Sequence, residues 1–179
     1  MKDLYIKRRA LSEDTLLDLI DEIPDFKTHK ASVARGNGST IDTSYRSTLV
    51  TAMNIPEWAN IYSELLPMAE EFYPNESMKI KELQYLHYGP GDHFKKHNDQ
   101  IRKGDKKDWR ILTSVTLLSE SDDLIGGDLV LFRSKEDKEI INPKLEVGES
   151  IMFSSETFHQ VMPVEKGTRE SLITWFYLK

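Results

Sequence analysis

The sequence predicts a single α+β domain in which two N-terminal helices pack against a sandwich or barrel of short β-strands. Three observations indicate this fold class. The chain has 179 residues, the length of one domain with a core deep enough to enclose a site. Residues 1–78 contain two segments whose apolar residues recur at helical spacing. From residue 79 onward, short apolar runs alternate with turn residues, and helices followed by a run of strands are typical of α+β folds.

The first predicted helix begins after Ser12, whose hydroxyl can cap the first turn. Glu13 and Asp14 place negative charge at the positive end of the helix dipole, and Pro24 ends the segment. The apolar stripe of this helix consists of Leu16, Leu17, Leu19, Ile20 and Ile23. The pattern predicts an amphipathic helix with one face against the core.

The second predicted helix opens near Asn54 and Pro56. Its apolar positions are Trp58, Ile61, Tyr62, Leu65 and Phe72. Pro67 lies inside the segment and has no N–H to donate, so we expect it to kink or split the helix.

The rest of the chain predicts short strands near residues 79–88, 92–97, 110–118, 127–133, 138–141, 149–154, 158–164 and 169–178. Turn residues separate these runs. We therefore divide the domain, residues 1–179, into helical support with substrate loops over 1–78 and a β core over 79–178. Two polar segments, 25–53 and 100–109, are predicted loops, and loops on a rigid scaffold are where substrates bind.

Composition excludes several classes of function. The chain has 24 basic and 30 acidic residues and a net charge of −6, so we expect no nucleic-acid partner. It has no cysteine, which excludes thiolate nucleophiles, disulfides and iron–sulfur clusters. No apolar run approaches the ~20 residues of a membrane-spanning helix. The N-terminal stretch lacks the apolar region of a secretory signal, so we expect a cytoplasmic protein.

His97 and Asp99 are the first residues that suggest chemistry. In an extended chain, residues two apart point to the same side, so this imidazole and this carboxylate converge. His159, in an apolar C-terminal strand, could supply a third ligand. Two histidines and one carboxylate on one face of an iron ion leave positions open, as in non-haem Fe(II) oxygenases. The spacing alone also fits a chance H-x-D sequence and a structural His159, and both interpretations stay open at this point.

Arg169 lies ten residues after His159, beyond a predicted hairpin turn. It shares one face of its strand with Ser171, Ile173, Trp175 and Tyr177. Neither face of this strand is simply polar, so we expect both to be covered. A buried guanidinium needs an anionic partner, and its fork suits a carboxylate. The alternative is that Arg169 lies at the mouth of the strand and pairs with a surface acid.

Four motifs in this order resemble one enzyme family. They are Leu83–Asp99 with its H-x-D sequence, the Gly-Gly strand Gly126–Phe132, the segment Gly148–Phe153, and the C-terminal set His159, Val161, Pro163, Val164, Gly167, Arg169, Ser171 and Trp175. Together they are similar to the 2-oxoglutarate- and Fe(II)-dependent dioxygenases, in particular the prolyl 4-hydroxylase branch. The resemblance covers residues 79–178, and the N-terminal half only fits the helical support of such enzymes.

The resemblance implies a double-stranded β-helix, a distorted, cupin-like jelly roll, with the N-terminal helices as support. It implies that His97, Asp99 and His159 bind Fe(II). It further implies that Arg169 pairs with the distal carboxylate of 2-oxoglutarate while Tyr88 and Ser171 donate hydrogen bonds to it. O2 would be the second substrate and ascorbate a reductant. One departure concerns residues 113–118, where several relatives carry a cosubstrate-binding tyrosine and this chain has no aromatic residue.

The resemblance implies a hydroxylase that releases succinate and CO2. We expect a peptidyl proline as the acceptor, in a groove between segments 25–53 and 100–109. The alternative is a free amino acid or another small metabolite. A nucleic-acid demethylase is disfavoured because such enzymes carry a second arginine where this chain has Trp175. A non-catalytic binding module of the same fold is disfavoured by the intact His-Asp-His set.

Overall fold

A computed structural model describes residues 4–35, 38–102 and 104–179. Within these ranges the chain forms two α-helices, α1 (Glu13–Glu22) and α2 (Ala59–Phe72). The strands are β1 (Tyr5–Arg8), β2 (His29–Lys30), β3 (Val33–Arg35), β4 (Gly38–Thr40), β5 (Arg46–Ser47), β6 (Leu49–Ala52), β7 (Met78–Tyr88), β8 (His93–His97), β9 (Arg110–Glu120), β10 (Ile125–Gly126), β11 (Leu129–Phe132), β12 (Ser150–Ser154), β13 (Phe158–Val161), β14 (Val164–Lys166) and β15 (Arg169–Leu178). No helix in the described ranges is long and apolar enough to cross a membrane.

The first helix confirms its sequence prediction. The Ser12 hydroxyl accepts a hydrogen bond from the Thr15 N–H at 3.2 Å and so caps α1. The Glu64 carboxylate of α2 accepts hydrogen bonds from the Ser12 backbone N–H and the Thr15 hydroxyl, and these contacts connect the two helices.

The second helix starts later than predicted, because residues 55–58 form a turn and α2 begins at Ala59. Pro67 lies inside α2 without splitting it. Four buried side chains around it, Leu65, Met68, Ala69 and Phe72, hold the helix on the core. Their burial outweighs the one backbone hydrogen bond that proline removes.

Two antiparallel sheets face each other and form the predicted double-stranded β-helix. The major sheet has the order β1-β12-β9-β15-β7-β6-β2, and the minor sheet has the order β11-β13-β8-β5. One apolar cluster packs the helices on the outer face of the major sheet, around Leu65, Leu83 and Phe176. A second fills the space between the sheets, around Leu131, Phe153 and Ile173. The space between the sheets is therefore where a buried site can lie.

The polar segment 25–53 corrects the prediction of a loop, since it contains the short strands β2 to β6. Strand β6 extends the major sheet by pairing with β7, and β5 extends the minor sheet by pairing with β8. Segment 138–141 was predicted to be a strand, but it makes only a single β-bridge, between Leu131 and Ile141. Segment 100–109 is largely irregular, as predicted, with a 3-10 turn at Lys106–Asp108; residue 103 lies outside the described residues.

Candidate active site

His97, Asp99 and His159 meet on the inner side of the minor sheet. His97 ends β8 and lies directly opposite His159 of β13 in the strand register. Asp99 follows β8, and its backbone N–H donates to the Ser155 carbonyl at 3.0 Å. One ligand atom from each residue lies within 4.8 Å of the others. A pair two residues apart and one remote histidine thus form a compact three-ligand group.

Both imidazoles are oriented by backbone carbonyls. His97 Nδ1 lies 2.7 Å from the Lys95 carbonyl oxygen, and His159 Nδ1 lies 3.0 Å from that of Thr157. With a proton on each Nδ1, both Nε2 atoms present a lone pair toward Asp99, at 3.5 Å from its Oδ1 and Oδ2 respectively. His97 Nε2 is buried and has no hydrogen-bond partner in the described part of the chain. A divalent metal ion between the three side chains would supply that partner, so the donor set fits Fe(II).

The charges of His159 and Asp99 also suit a metal ion. Burial lowers the pKa of His159 to about 4, with a smaller contribution from His97, so the imidazole is neutral at pH 7. Burial opposes the charge of Asp99, but His159, His97 and the hydrogen bond from Trp175 hold the pKa of that carboxyl far below its usual range. Neutral imidazoles and an ionised carboxylate are the protonation states that a divalent cation requires.

Arg169 lies in the same interior and is only 4% exposed. Its Nη1 lies 3.4 Å from the Ser171 hydroxyl, and its guanidinium lies 5.8 Å from the centre of the Tyr88 ring. No carboxylate of the described residues is within ion-pair distance of it, although Glu120 and Asp128 contribute attraction from further away. Burial lowers its pKa. The surface ion pair considered above is therefore wrong, and the guanidinium is available to an anion.

Tyr88 stands beside Arg169, its direct neighbour in the register of β7 and β15. The side chain is 1% exposed, and burial raises the pKa of its hydroxyl, so it is a neutral hydrogen-bond donor. Arg46 and Arg169 both act on it electrostatically. A ligand carboxylate at Arg169 would thus find a hydroxyl and a second guanidinium nearby.

A cavity of about 480 Å³ connects these groups. All six residues predicted for the site line it, namely Tyr88, His97, Asp99, His159, Arg169 and Ser171. Its lining also includes Ser32, Tyr45 and Arg46 from the segment 25–53, and Gln100 and Ile101 from the segment 100–109. The cavity is large enough for a small diacid beside a second molecule.

The family comparison agrees with this geometry. The model of the 2OG-Fe(II) oxygenase superfamily matches residues 83–177. The chain belongs to this superfamily. The description of the superfamily specifies Fe(II) and 2-oxoglutarate. In this chain the three-ligand group and Arg169 line one cavity.

Curated relatives and solved structures extend the comparison. A PKHD-type hydroxylase from Synechococcus elongatus is 30% identical over 99 residues, which cover 54% of this chain and 43% of that relative. The matched region thus spans less than half the length of this relative. A Pseudomonas putida prolyl-4-hydroxylase has a TM-score of 0.71 at 19% identity, covering 98% of this chain and 93% of that one. A Trichoplax adhaerens prolyl hydroxylase in complex with a peptide fragment has a TM-score of 0.70 at 14% identity. The match covers 97% of this chain and 83% of that one. At such identities the solved structures show the fold alone.

The remaining histidines lie outside the three-ligand group of the oxygenase. His87 faces away from the cavity, where its Nδ1 lies 3.3 Å from Glu170. His93 contacts the backbone carbonyls of Gly91 and Ser44 and is half-buried rather than exposed. His29 is exposed and lines the outer part of the cavity, which the sequence did not indicate.

Sequence reasoning also missed Thr113 and Trp175 as neighbours of the three-ligand group. Both donate to Asp99 Oδ2, at 2.9 and 3.0 Å. The alternation of the C-terminal strand predicts that Trp175 and Arg169 share one face. This shared face is a signal that pointed toward the site. Thr113 lay in the stretch where an aromatic residue was missing, and only the pairing of β9 with β15 brings it beside Trp175.

Proposed function

We propose that this protein is an Fe(II)- and 2-oxoglutarate-dependent dioxygenase that hydroxylates an unactivated C–H bond of a peptidyl proline, with succinate and CO2 as co-products. The observation that carries the proposal is the single cavity shared by the three-ligand group and the unpaired Arg169. Fe(II) and 2-oxoglutarate, when bound, supply the oxidising chemistry with O2. Ascorbate would serve as a reductant that keeps the iron in the Fe(II) state.

One set of residues would bind the metal ion, and a second set would bind the cosubstrate. His97, Asp99 and His159 would hold Fe(II) from one side, and a facial arrangement of three protein ligands leaves the other positions open. Arg169 and Ser171 would bind the distal carboxylate of 2-oxoglutarate, with the Tyr88 hydroxyl donating to it. The side chains of Phe94 and Phe153 cover the two imidazoles, with ring centres 3.5 and 4.9 Å away. These rings exclude water from the side of the ligands that faces the core.

A peptide acceptor is supported by the residues that line the cavity beside the three-ligand group. Segments 25–53 and 100–109 both contribute to this lining, so a substrate in the cavity would contact both. The relatives named as prolyl hydroxylases, and the solved complex with a peptide fragment, favour the same substrate class. A free amino acid or small metabolite is the alternative acceptor.

A succinate-release screen tests the proposal. The protein is loaded anaerobically with Fe(II) and 2-oxoglutarate, then exposed to O2 and ascorbate with proline-rich peptides in one arm and free amino acids in the other. We expect turnover with a peptide and none with His97→Ala, Asp99→Ala or His159→Ala, each of which removes a metal ligand. Turnover confined to the free amino acids would replace the peptide substrate. No substrate-dependent succinate above that of Asp99→Ala would contradict the dioxygenase itself.

A further inference from the structure

The two oxygens of the Asp99 carboxylate have different surroundings. Oδ2 accepts hydrogen bonds from the Thr113 hydroxyl at 2.9 Å and from the Trp175 indole N–H at 3.0 Å. Oδ1 accepts none from a hydroxyl or indole of the described chain. Each oxygen also lies 3.5 Å from one imidazole, Oδ1 from His97 Nε2 and Oδ2 from His159 Nε2. A carboxylate oxygen has roughly two lone-pair sites, and both sites of Oδ2 are taken by these donors. The oxygen left for a metal ion is therefore Oδ1.

The donors to Asp99 come from the opposite sheet. Thr113 of β9 and Trp175 of β15 are direct partners in the register of the major sheet. The two histidines belong to the minor sheet. The Asp99 carboxylate consequently spans the gap between the sheets, with Oδ2 held by donors of the major sheet and Oδ1 beside His97 of the minor sheet. Its orientation depends on both sheets at once.

Neither donor is free to turn away. The Arg110 guanidinium lies 4.0 Å from the centre of the Trp175 ring and is itself fixed by Glu82 at 2.6 Å and by the Tyr177 hydroxyl at 3.1 Å. The Thr113 hydroxyl also contacts the Ser155 hydroxyl at 3.1 Å. Each donor is buried and held by neighbouring side chains, so rotation of the Asp99 carboxylate would break two buried hydrogen bonds.

We propose that Trp175 and Thr113 are positioning residues that hold Asp99 as a one-oxygen metal ligand. By occupying Oδ2 they keep the carboxylate from chelating the ion through both oxygens, which preserves an open position for 2-oxoglutarate or O2. The inference rests on the proposed function, since it takes His97, Asp99 and His159 as the metal site. Outer contacts of this kind typically change metal affinity by about 10- to 100-fold.

The test is a Co(II) titration of the full chain without 2-oxoglutarate, followed by calorimetry and by the visible Co(II) spectrum, which reports coordination geometry. Thr113→Val removes one donor and keeps the side-chain shape. Trp175→Phe removes the other donor and keeps one aromatic ring of a smaller side chain. We expect each to weaken Co(II) binding by about 10-fold or more and to change the Co(II) spectrum. Thr113→Ser keeps the hydroxyl and should restore both the affinity and the spectrum.

The chain offers matched controls. Thr174 is buried on β15 beside Trp175, and its hydroxyl has no hydrogen-bond partner among the described residues. Thr174→Val therefore makes the same chemical change as Thr113→Val without touching Asp99. Trp58→Phe, on the helical side of the molecule, is the control for Trp175→Phe. Both controls should bind Co(II) like the wild type.

The outcomes separate this inference from the proposed function. Wild-type affinity and spectrum in both Thr113→Val and Trp175→Phe would overturn the positioning role while leaving the metal site in place. An equal loss in Thr174→Val would overturn it as well, because general packing would then explain the effect. A wild-type protein that binds no Co(II) would contradict the metal site and this inference together. If Trp175→Phe fails to fold, the comparison of Thr113→Val with Thr113→Ser tests the positioning role on its own.

Discussion

Arg169 and Glu170 are consecutive residues of β15 with opposite charges and opposite surroundings. Glu170 points away from the cavity. Its carboxylate accepts hydrogen bonds from the Tyr85 hydroxyl at 2.8 Å and from the Ser119 hydroxyl, and His87 Nδ1 lies 3.3 Å from it. Arg169 lines the cavity, where the Ser171 hydroxyl lies at 3.4 Å and the Tyr88 ring centre at 5.8 Å. Glu170 is thus half-buried with three polar partners, whereas Arg169 is buried with no carboxylate of the described residues within ion-pair distance. We therefore expect Glu170 to serve the fold and Arg169 to bind an anionic ligand.

Replacing Arg169 should have the largest effect on cosubstrate binding. A charge-assisted hydrogen bond contributes about 1.5–3 kcal/mol, and loss of one partner from a buried pair costs about 3–5 kcal/mol. Arg169→Ala should thus weaken 2-oxoglutarate binding by about 10- to 1,000-fold, with Arg169→Lys between it and the wild type. A 2-oxoglutarate titration at saturating metal measures this.

The matched control is Arg102→Ala, which removes a half-exposed arginine paired with Glu156. Its 2-oxoglutarate affinity should equal that of the wild type. An unchanged affinity in Arg169→Ala, or its failure to fold, would instead make Arg169 a structural residue like Glu170.

Tyr88→Phe should have an intermediate effect and sharpen the contrast. The change removes one neutral hydroxyl and keeps the buried ring, and a neutral hydrogen bond contributes about 0.5–1.5 kcal/mol. The expected loss of 2-oxoglutarate affinity is about 2- to 10-fold, measured by the same titration. A loss as large as that of Arg169→Ala would mean that the hydroxyl, rather than the guanidinium, dominates binding.

Glu170→Gln should leave 2-oxoglutarate affinity unchanged and lower stability. Burial opposes the charge of Glu170, but hydrogen bonds from Ser119, Tyr85 and His87 outweigh it and lower the pKa of this carboxyl. A carboxyl with a lowered pKa stabilises the fold above the usual glutamate range, and this contribution is lost as the pH falls through the folded-state pKa.

Urea unfolding at neutral pH should therefore show a loss of about 1–2 kcal/mol for Glu170→Gln, and the difference from the wild type should shrink at acidic pH. A difference that grows as the pH falls would contradict the assigned role.

The β core could be predicted from the sequence because its strands are long apolar runs that end at turn residues. The structure confirms β7, β8, β9, β12 and β15 close to their predicted bounds. It also brings the six predicted site residues into one cavity, although their roles stay predictions. The order and spacing of the motifs made that possible, since His97 and Asp99 are local and Arg169 follows His159 by one hairpin.

Other features could not be predicted because they depend on contacts between distant segments. The strands within 25–53 are short, and two of them depend on distant segments, because β6 pairs with β7 and β5 pairs with β8. The contacts of Thr113 and Trp175 with Asp99 require the register of β9 against β15, which no local pattern specifies. That no carboxylate of the described residues pairs with Arg169 is equally a property of the assembled cavity.

The central claim is that 2-oxoglutarate bridges the metal group and Arg169 within one cavity, and the most direct test is its affinity with and without Mn(II). In the wild type, Mn(II) should strengthen 2-oxoglutarate binding, and 2-oxoglutarate should strengthen Mn(II) binding by the same factor, because coupling between two sites is reciprocal. Asp99→Ala should abolish this coupling while Arg169 still binds the carboxylate weakly. Equal 2-oxoglutarate affinity in the presence and absence of Mn(II) would contradict the account.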